Sequence, residues 1–448
     1  MKTTPGASAR VGDADIYARI DEAVTDAAAD LVRWRRHLHE HPELSNRESQ
    51  TAAYLIDQLR KIGVDDIRSG LAGHGIVAII RGGAVPRVDR RIALRADMDA
   101  LPIEESTELP YASRVEARSE SGQRVPVSHA CGHDCHMAVV LAAARVLVTI
   151  RDALPGDVLV VFQPAEEGAP LNETGGAQAM LDAGAFQGIE PTMVFGMHVS
   201  PLPRGVVGYR AGVQFAASSR VAVTFAGTQA HAAMPWLARD PLLAAAGFIT
   251  AAASVTRTIE PTYPATVTFG HVEDIGRYNV IGDKVTVHGT LRCHDEGTLA
   301  DLKAALSAAA EGHATAQGCA VDVRFLQDVP ALVNERTWID AALPTLRRST
   351  PHSLVFEVPP TMGYDDVAVF VREFGGTYLL FGVQDTQLAA DPTPKLEASP
   401  GGRGMFANHH PGFYADEAAL VDSLRIHCHV AIDHLTGLLD AGVTTVGA

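Results

Sequence analysis

Four short apolar runs, separated by segments with helical character, constrain the fold of this chain more than any other sequence feature. The runs are GIVAIIRG (75–82), RIALRAD (91–97), DVLVVFQ (157–163) and TMVFGMH (192–198). A helical pattern begins near His136, and another precedes the fourth run. Strands that alternate with helices favour a largely parallel sheet covered by helices. The sequence therefore predicts an α/β domain with a central mixed, mostly parallel sheet.

Two helices are predicted before the first strand. Apolar residues recur at helical spacing over residues 16–39, and a second helix is expected over TAAYLIDQLRKIG (51–63). Ser45 and Glu48 stand in the spacing of a capping box, so we expect them to cap the start of that second helix.

The pattern changes after residue 212, where strand-like and helix-like segments follow in the order βαββαβ. A unit of this kind is compact enough to form an inserted, ferredoxin-like domain. We therefore predict three segments: residues 1–212 and 329–448 form a catalytic domain, and residues 213–328 form the inserted domain.

Charge and cysteine content exclude several classes of protein. The 448 residues carry 37 basic and 53 acidic side chains, a formal net charge of −16. Nucleic-acid and anionic-membrane partners need a basic surface, so we expect neither. The first twenty residues have no apolar core of the kind found in a signal peptide. Five cysteines are too few, and odd in number, for a disulfide framework, which favours the cytoplasm.

Polar side chains follow three of the predicted strands at the points where the strands end. Asp97 and Asp99 follow the second run, Glu166 and Glu167 follow the third, and His198 ends the fourth. Ligands of open α/β sheets bind beyond the carboxyl ends of the strands. These side chains are therefore expected to contribute to a single site.

The segment SHACGHDCHM (128–137) is a fourth candidate contributor, because it concentrates cysteine, histidine and aspartate. Cys131 and His133 are separated only by Gly132, so both can reach one metal from a tight turn. Mixed thiolate, imidazole and carboxylate ligation with room for water is typical of a catalytic metal site. A redox pair of Cys131 with Cys135, or a packed polar turn, are the alternatives.

The adjacent glutamates can divide two tasks between them. In the turn FQPAEEG (162–168) the side chains of Glu166 and Glu167 point differently, unlike a glutamate pair on a solvated helix. One carboxylate can bind a metal while the other removes a proton from the metal-bound water. That combination suits hydrolysis of an amide.

Nine motifs, in this order along the chain, resemble those of a known family. They are RRHLHEHPEL (35–44), LRADMDALPIEE (94–105), HACGHDCH (129–136), FQPAEEG (162–168), FGMHVSPLPRG (195–205), GTQAHAAMP (227–235), YNVIGD (278–283), GTLR (289–292) and NHHPGF (408–413). The chain resembles the di-metal amidohydrolases that include hippurate hydrolase, the indole-acetyl–amino-acid hydrolases and the N-acyl-amino-acid deacylases. These are relatives of aminoacylases and of metallo-carboxypeptidases of the carboxypeptidase G type.

The resemblance implies two divalent metal ions, manganese or zinc, with cobalt or nickel also compatible with the ligands. It implies metal ligands at five positions: Cys131, His133, Glu167, His198 and His409. Glu166 matches the general base that activates a metal-bridged water, and Asp97 matches an acid expected to orient a ligand imidazole. The neighbouring His410 is the alternative to His409 as the last ligand.

The inserted domain of relatives acts as a lid and often as a dimer surface, so a homodimer is expected here. His231 matches a catalytic histidine that binds the substrate carbonyl or carboxylate and supports the oxyanion. Asn279 and Arg292 match motif positions that imply substrate contact. Two loops beside the site motifs, at 115–127 and 388–404, are longer than usual and are expected to influence substrate choice.

The sequence thus predicts a metal-dependent amidohydrolase that cleaves N-acyl-amino acids or similar small amides with a free carboxylate. One alternative is a metal-free cysteine hydrolase that uses Cys131 as its nucleophile. The other is a non-catalytic binding protein that retains the fold.

Overall fold

The computed structural model describes residues 11–442, except for 65, 120, 121 and 390–394. Its helices are α1 (Val11–Glu40), α2 (Ser49–Ile62), α3 (His133–Thr149), α4 (Gly176–Asp182), α5 (Pro241–Ala252), α6 (Glu296–Gln317), α7 (Arg336–Ser349), α8 (Val367–Phe374) and α9 (Glu417–Thr436). Across these described residues, no helix has both the length and the apolar character needed to cross a membrane.

The strands number twenty in the same ranges. They are β1 (Asp66–Leu71), β2 (Gly75–Ile80), β3 (Arg91–Asp97), β4 (Glu116–Arg118), β5 (Arg124–Pro126), β6 (Asp157–Gln163), β7 (Met193–Pro203), β8 (Val207–Tyr209), β9 (Gly212–Phe215), β10 (Ala217–Ala226), β11 (Ala230–His231), β12 (Ala265–Asp274), β13 (Val280–Ile281), β14 (Lys284–Cys293), β15 (Ala320–Val329), β16 (Leu332–Asn334), β17 (Val355–Glu357), β18 (Gly376–Gln384), β19 (Thr386–Ala389) and β20 (Lys395–Ala398).

The chain divides into two compact units. The smaller unit comprises Val213–Val333 and Pro359–Val369, and the larger unit comprises the rest of the chain. The boundaries that we predicted from the sequence, at 212/213 and 328/329, stay predictions.

An eight-stranded sheet in the order β1-β2-β6-β3-β7-β18-β8-β17 forms the centre of the larger unit. Its middle strands β6, β3, β7 and β18 run parallel to their neighbours in this series, whereas β1, β2 and β6 pair antiparallel. Helices α3 and α9 pack against β3 and each other. The predicted α/β class, with a mixed, mostly parallel sheet flanked by helices, is confirmed.

The four apolar runs became strands because both faces of the sheet are covered. Every residue of β2 and β6 is buried, which explains why these strands are continuous in apolar residues rather than alternating. Short β1 lacks an apolar run, since none of its residues is buried and polar residues are interspersed among the apolar ones.

A buried ion network fixes the first turn of α3 against α1. The Nε atom of Arg35 lies 2.9 Å from Oδ2 of Asp134, and both side chains are almost fully buried. His39 Nδ1 lies 2.9 Å from the same carboxylate oxygen. Because Asp134 follows His133 directly, this network holds the backbone that carries a predicted ligand.

The predicted capping box at the start of α2 is wrong. Glu48 occupies the N-cap position but its side chain makes no capping hydrogen bond. Instead, the Glu43 carboxylate accepts the backbone N–H groups of Gln50 and Thr51, at 3.2 and 2.8 Å. Ser45 and Glu48 turn inward, because both find partners near the end of the central sheet.

The smaller unit has the predicted βαββαβ order. Its sheet order is β12-β14-β10-β15, and every neighbouring pair is antiparallel. Helices α5 and α6 cover one face, where Phe225, Phe248 and Leu302 are fully buried. Asp240 and Asp295 cap the two helices through backbone N–H groups. The ferredoxin-like fold predicted for this part of the chain is confirmed.

Candidate metal centre

Three adjacent parallel strands bring their polar ends to one edge of the central sheet. Strand β3 ends at Asp97, β6 leads into the turn with Glu166 and Glu167, and β7 contains His198. The strands lie side by side in the order β6-β3-β7. Their register therefore assembles groups that lie a hundred residues apart in the sequence.

A glycine makes the tight turn before α3 possible. Gly132 has φ of 87°, and a Cβ atom there would lie 2.3 Å from Cγ2 of Val199. Only glycine fits both the left-handed backbone and the close approach. The turn starts α3 at His133, three residues before the predicted start, and leaves Cys131 just outside the helix.

Cys131 is close to side chains from two distant segments. Its Sγ atom lies 3.2 Å from Nε2 of His409 and 3.5 Å from Nε2 of His198. His409 Nε2 also lies 3.0 Å from Oε1 of Glu167. One thiol, two imidazoles and one carboxylate thus converge, and Cys131, Glu167 and His409 could hold a metal ion.

His133 lies near the carboxylates of Glu166 and Glu167. Its Nδ1 hydrogen-bonds to the backbone carbonyl of Asp99 at 2.8 Å, which leaves Nε2 as the ligand atom. Nε2 lies 3.8 Å from Oε2 of Glu166 and 3.9 Å from Oε1 of Glu167. His133 Nε2 and Glu167 Oε1 are both buried and make no hydrogen bond of good geometry among the described residues, although Glu167 Oε1 lies 3.0 Å from His409 Nε2. Buried polar atoms are normally partnered, so these two atoms fit the coordination of a metal ion.

The electrostatics of this cluster also favour a cation. Burial and the nearby carboxylates of Glu167 and Glu166 raise the pKa of the Cys131 thiol well above its usual value. Burial lowers the pKa of His133, but the charge of Asp97 and the hydrogen bond to Asp99 outweigh burial and raise it to about 10. Metals bind the deprotonated forms of both groups, so divalent cations compete with protons here.

Asp97, His133 and His198 form with His136 a group that could hold a metal ion, but both ring nitrogens of His136 are already hydrogen-bonded. Its Nδ1–H donates to Oδ1 of Asp97 at 2.6 Å, and its Nε2 accepts the backbone N–H of Val199 at 2.9 Å. Arg95 donates to the other carboxylate oxygen of Asp97 at 2.8 Å. Asp97 thus accepts hydrogen bonds from His136 and Arg95. Its Oδ1 atom lies 3.7 Å from Nδ1 of the proposed ligand His133, which is longer than a hydrogen bond.

Two buried carboxylates hold the turn that presents Glu166, and their role was missed in the sequence. Glu48 accepts the N–H of Ala165 at 2.9 Å, and Asp99 accepts the N–H of Glu167 at 3.0 Å. Ala165 has φ of 54°, which is strained for a residue with a side chain. The Ser45–Glu48 spacing is the one sequence signal for this arrangement, and that spacing is also typical of a helix cap.

The structure distinguishes His409 from His410. His409 faces Cys131 and Glu167 at the distances given above, from a backbone with φ of 70°. His410 Nδ1 accepts the N–H of Gly412, and its ring packs at 5.0 Å from the ring of Phe406. His409 is therefore the residue that the structure brings to the cluster.

In the smaller unit, His231 and Asn279 are neighbours. Strand β11 pairs with β13 so that His231 lies opposite Val280, and the carbonyl of Asn279 accepts the N–H of Ala232 at 3.1 Å. Arg292 lies on β14 with its guanidinium 4.0 Å above the ring of Tyr364.

The two long loops are partly structured as hairpins. Strands β4 and β5 form one within 115–127, and β19 and β20 form the other, although residues 390–394 of the second loop lie outside the described residues.

Comparisons with known proteins agree on one family. The model of peptidase family M20/M25/M40 matches residues 93–407. The chain is 34% identical over 397 residues to an N-acetyl-L-cysteine deacetylase of Bacillus subtilis, covering 87% of this chain and 85% of that protein. It is 30% identical over 422 residues to thermostable carboxypeptidase 1 of Saccharolobus solfataricus, covering 93% and 98%.

A solved structure shares the fold over almost its whole length. It is a dinuclear metal-binding peptidase of the M20 family from Bacillus subtilis, with 28% identity and a TM-score of 0.69. The match covers 92% of this chain and 99% of that one.

The fold, the site and the comparisons together define the class of this protein. It is a metal-dependent amidohydrolase with a candidate metal site at the edge of its central sheet. It belongs to peptidase family M20/M25/M40.

Proposed function

We propose that this enzyme hydrolyses the amide bond of N-acyl-amino acids, or of similar amides with a free carboxylate. The observation that carries the proposal is that two buried ligand atoms beside Glu166, His133 Nε2 and Glu167 Oε1, make no hydrogen bond among the described residues, while His409 Nε2 lies 3.0 Å from that Glu167 oxygen. Two divalent ions would be held by five residues: Cys131, His133, Glu167, His198 and His409.

When bound, the metal ions supply a Lewis acid for the amide carbonyl and lower the pKa of water. Manganese or zinc is proposed, and cobalt or nickel also suits one thiolate among imidazoles and a carboxylate. A mixed donor set can bind several of these metals, so the metal that occupies the site depends on which of them is available.

Glu166 is proposed as the general base and later the general acid. Its carboxylate is buried and lies beside the ligand atoms, 3.8 Å from His133 Nε2. From there it takes a proton from the attacking water and returns one to the leaving amine. Glu48 and Asp99 support this role, because their hydrogen bonds hold the backbone on both sides of Glu166.

His231 is proposed to stabilise the developing oxyanion. Its Nδ1 accepts the N–H of Ala233 at 3.0 Å, so the neutral ring carries its proton on Nε2. That N–H is the donor an oxyanion requires. We propose that Asn279, beside His231, contacts substrate, and that Arg292 binds its carboxylate through a charge-assisted hydrogen bond.

We also propose a cytoplasmic location and a homodimer formed through the inserted domain. All five cysteines are free thiols, which supports a reducing compartment. The dimer rests on the resemblance of the inserted domain to the lid domain of relatives. The hairpin loops at 115–127 and 388–404 are proposed to influence which acyl groups are accepted.

Recognition of a substrate carboxylate gives a direct test of the substrate class. We expect kcat/KM for an N-acetyl-amino acid to exceed that for its methyl ester by about 10- to 100-fold, since the ester loses a charge-assisted bond. Arg292→Met should remove this preference, whereas Arg257→Met, at an exposed arginine of the same unit, should keep it. Equal kcat/KM for acid and ester in the unmodified enzyme would contradict carboxylate recognition.

A further inference from the structure

We propose that Asn408 is a positioning residue that ties together the three chain segments carrying Cys131, His198 and His409. The inference rests on the metal-dependent function proposed above, because it concerns how the ligands of that centre are held. Asn408 is not one of the proposed ligands. It acts on the backbone of the segments that carry them, and its Nδ2 also lies 3.9 Å from Sγ of Cys131.

The amide group of Asn408 bridges two of these segments. Its Nδ2 donates to the backbone carbonyl of Cys131 at 3.0 Å and to that of Val199 at 3.1 Å. The next residue adds a third link, because the N–H of His409 donates to the carbonyl of Ala130 at 2.8 Å. Two consecutive residues thus join the turn before α3, strand β7 and the loop before α9.

The bond from Asn408 to the carbonyl of Val199 affects the imidazole of the proposed ligand His198. The carbonyl of Val199 also accepts a hydrogen bond from Nδ1 of His198, at 2.8 Å. This bond sets the tautomer of His198 and directs Nε2 toward Cys131. Asn408 holds the same carbonyl in place, so loss of its amide frees the group that orients His198.

The backbone at His409 needs such restraint. Its φ of 70° is a left-handed conformation that a residue with a side chain rarely adopts. Such conformations persist where surrounding contacts over-determine them. The Asn408 amide and the His409 N–H supply these contacts next to the metal cluster.

The loop as a whole does not depend on Asn408. Gln384 accepts the N–H of Phe406 at 2.9 Å and donates to the carbonyl of Tyr414 at 3.2 Å, and so holds both ends of the loop. A substitution at Asn408 is therefore expected to leave the loop attached while it loosens the ligand geometry.

The test measures metal affinity directly. Asn408→Leu and Asn408→Ala both remove the side-chain N–H donors, and neither adds a charge beside the proposed ligands. We expect manganese and zinc to bind about 10- to 100-fold more weakly to either variant, measured by competition with a fluorescent chelator. The melting temperature of the metal-free protein should change little, while its rise on adding metal should shrink.

Asn334→Leu is the matched control. Asn334 is fully buried, whereas Asn408 is half-buried, and like Asn408 it makes two hydrogen bonds to backbone groups: with Tyr378, at 2.8 and 2.9 Å. Its loss should lower the melting temperature and leave metal affinity unchanged.

The outcomes separate the two proposals. If the unmodified protein binds two equivalents of metal and both Asn408 variants bind them within about threefold as tightly, far short of the usual loss from such partners, Asn408 does not position the ligands. If Asn408→Leu does not fold, the smaller Asn408→Ala decides the question. If the unmodified protein binds no metal, the proposed function itself fails, and the inference fails with it.

Discussion

Replacement of Glu166 by alanine is expected to lower kcat by about 10²- to 10⁴-fold, the range of a lost general base. Metal binding should survive, because the proposed ligands are other residues. The measurement pairs the rate of amine release with the metal content of the same sample. Glu166→Gln, which keeps the shape but cannot take a proton, should behave like the alanine variant.

Glu173→Ala is a suitable control for this experiment. Glu173 is an exposed glutamate a few residues further along, paired with Arg47 at 2.6 Å, and its loss should leave kcat unchanged. Normal turnover in Glu166→Ala would show that the assigned base is wrong. Loss of metal together with activity would show that Glu166 is a ligand instead.

Replacement of Cys131 by alanine is expected to lower both metal content and activity. Cys131 lies next to both His198 and His409, so its loss should remove metal and lower activity by at least about 10²-fold, more than the loss of a supporting contact. Metal content and amine release, measured together, test this expectation.

Alkylation distinguishes a metal ligand from a nucleophile at the same position. Brief iodoacetamide treatment should spare the metal-loaded enzyme, since a coordinated and buried thiolate is protected. After chelation, longer treatment at alkaline pH, which offsets the raised pKa of this thiol, should prevent reactivation by metal. Both reactions are best run with Cys319→Ala, because Cys319 is a partly exposed thiol. Activity that persists without metal but is abolished by alkylation would support a cysteine hydrolase.

The fold could be predicted because the hydrophobic patterns that indicate its strands and helices are local and recur along the chain. Buried strands β2 and β6 are nearly continuous in apolar residues. The βαββαβ order of the smaller unit follows from apolar residues that alternate in its strands and recur at helical spacing in its helices. The exposed strand β1 lacks such a signal. Strand ends also indicated where polar groups would gather, as Asp97 and Glu167 illustrate.

The supporting residues could not be predicted, because their partners are distant in sequence. Ser45 and Glu48 have the spacing of a helix cap, and nothing in that spacing indicates that they reach Asp99 and Ala165. Asn408 is the first residue of the motif NHHPGF, but its bonds to Cys131 and Val199 exist only after three segments meet.

The most direct measurement is amine release from a panel of N-acetyl-, N-benzoyl- and indole-acetyl-amino acids. The enzyme would be assayed as purified, after chelation, and after manganese or zinc is returned, with bound metal counted each time. We predict turnover of at least one of these amides that is lost with the metal and restored with it. No turnover of any amide by protein shown to hold two metal ions would contradict the proposed activity and favour a binding protein.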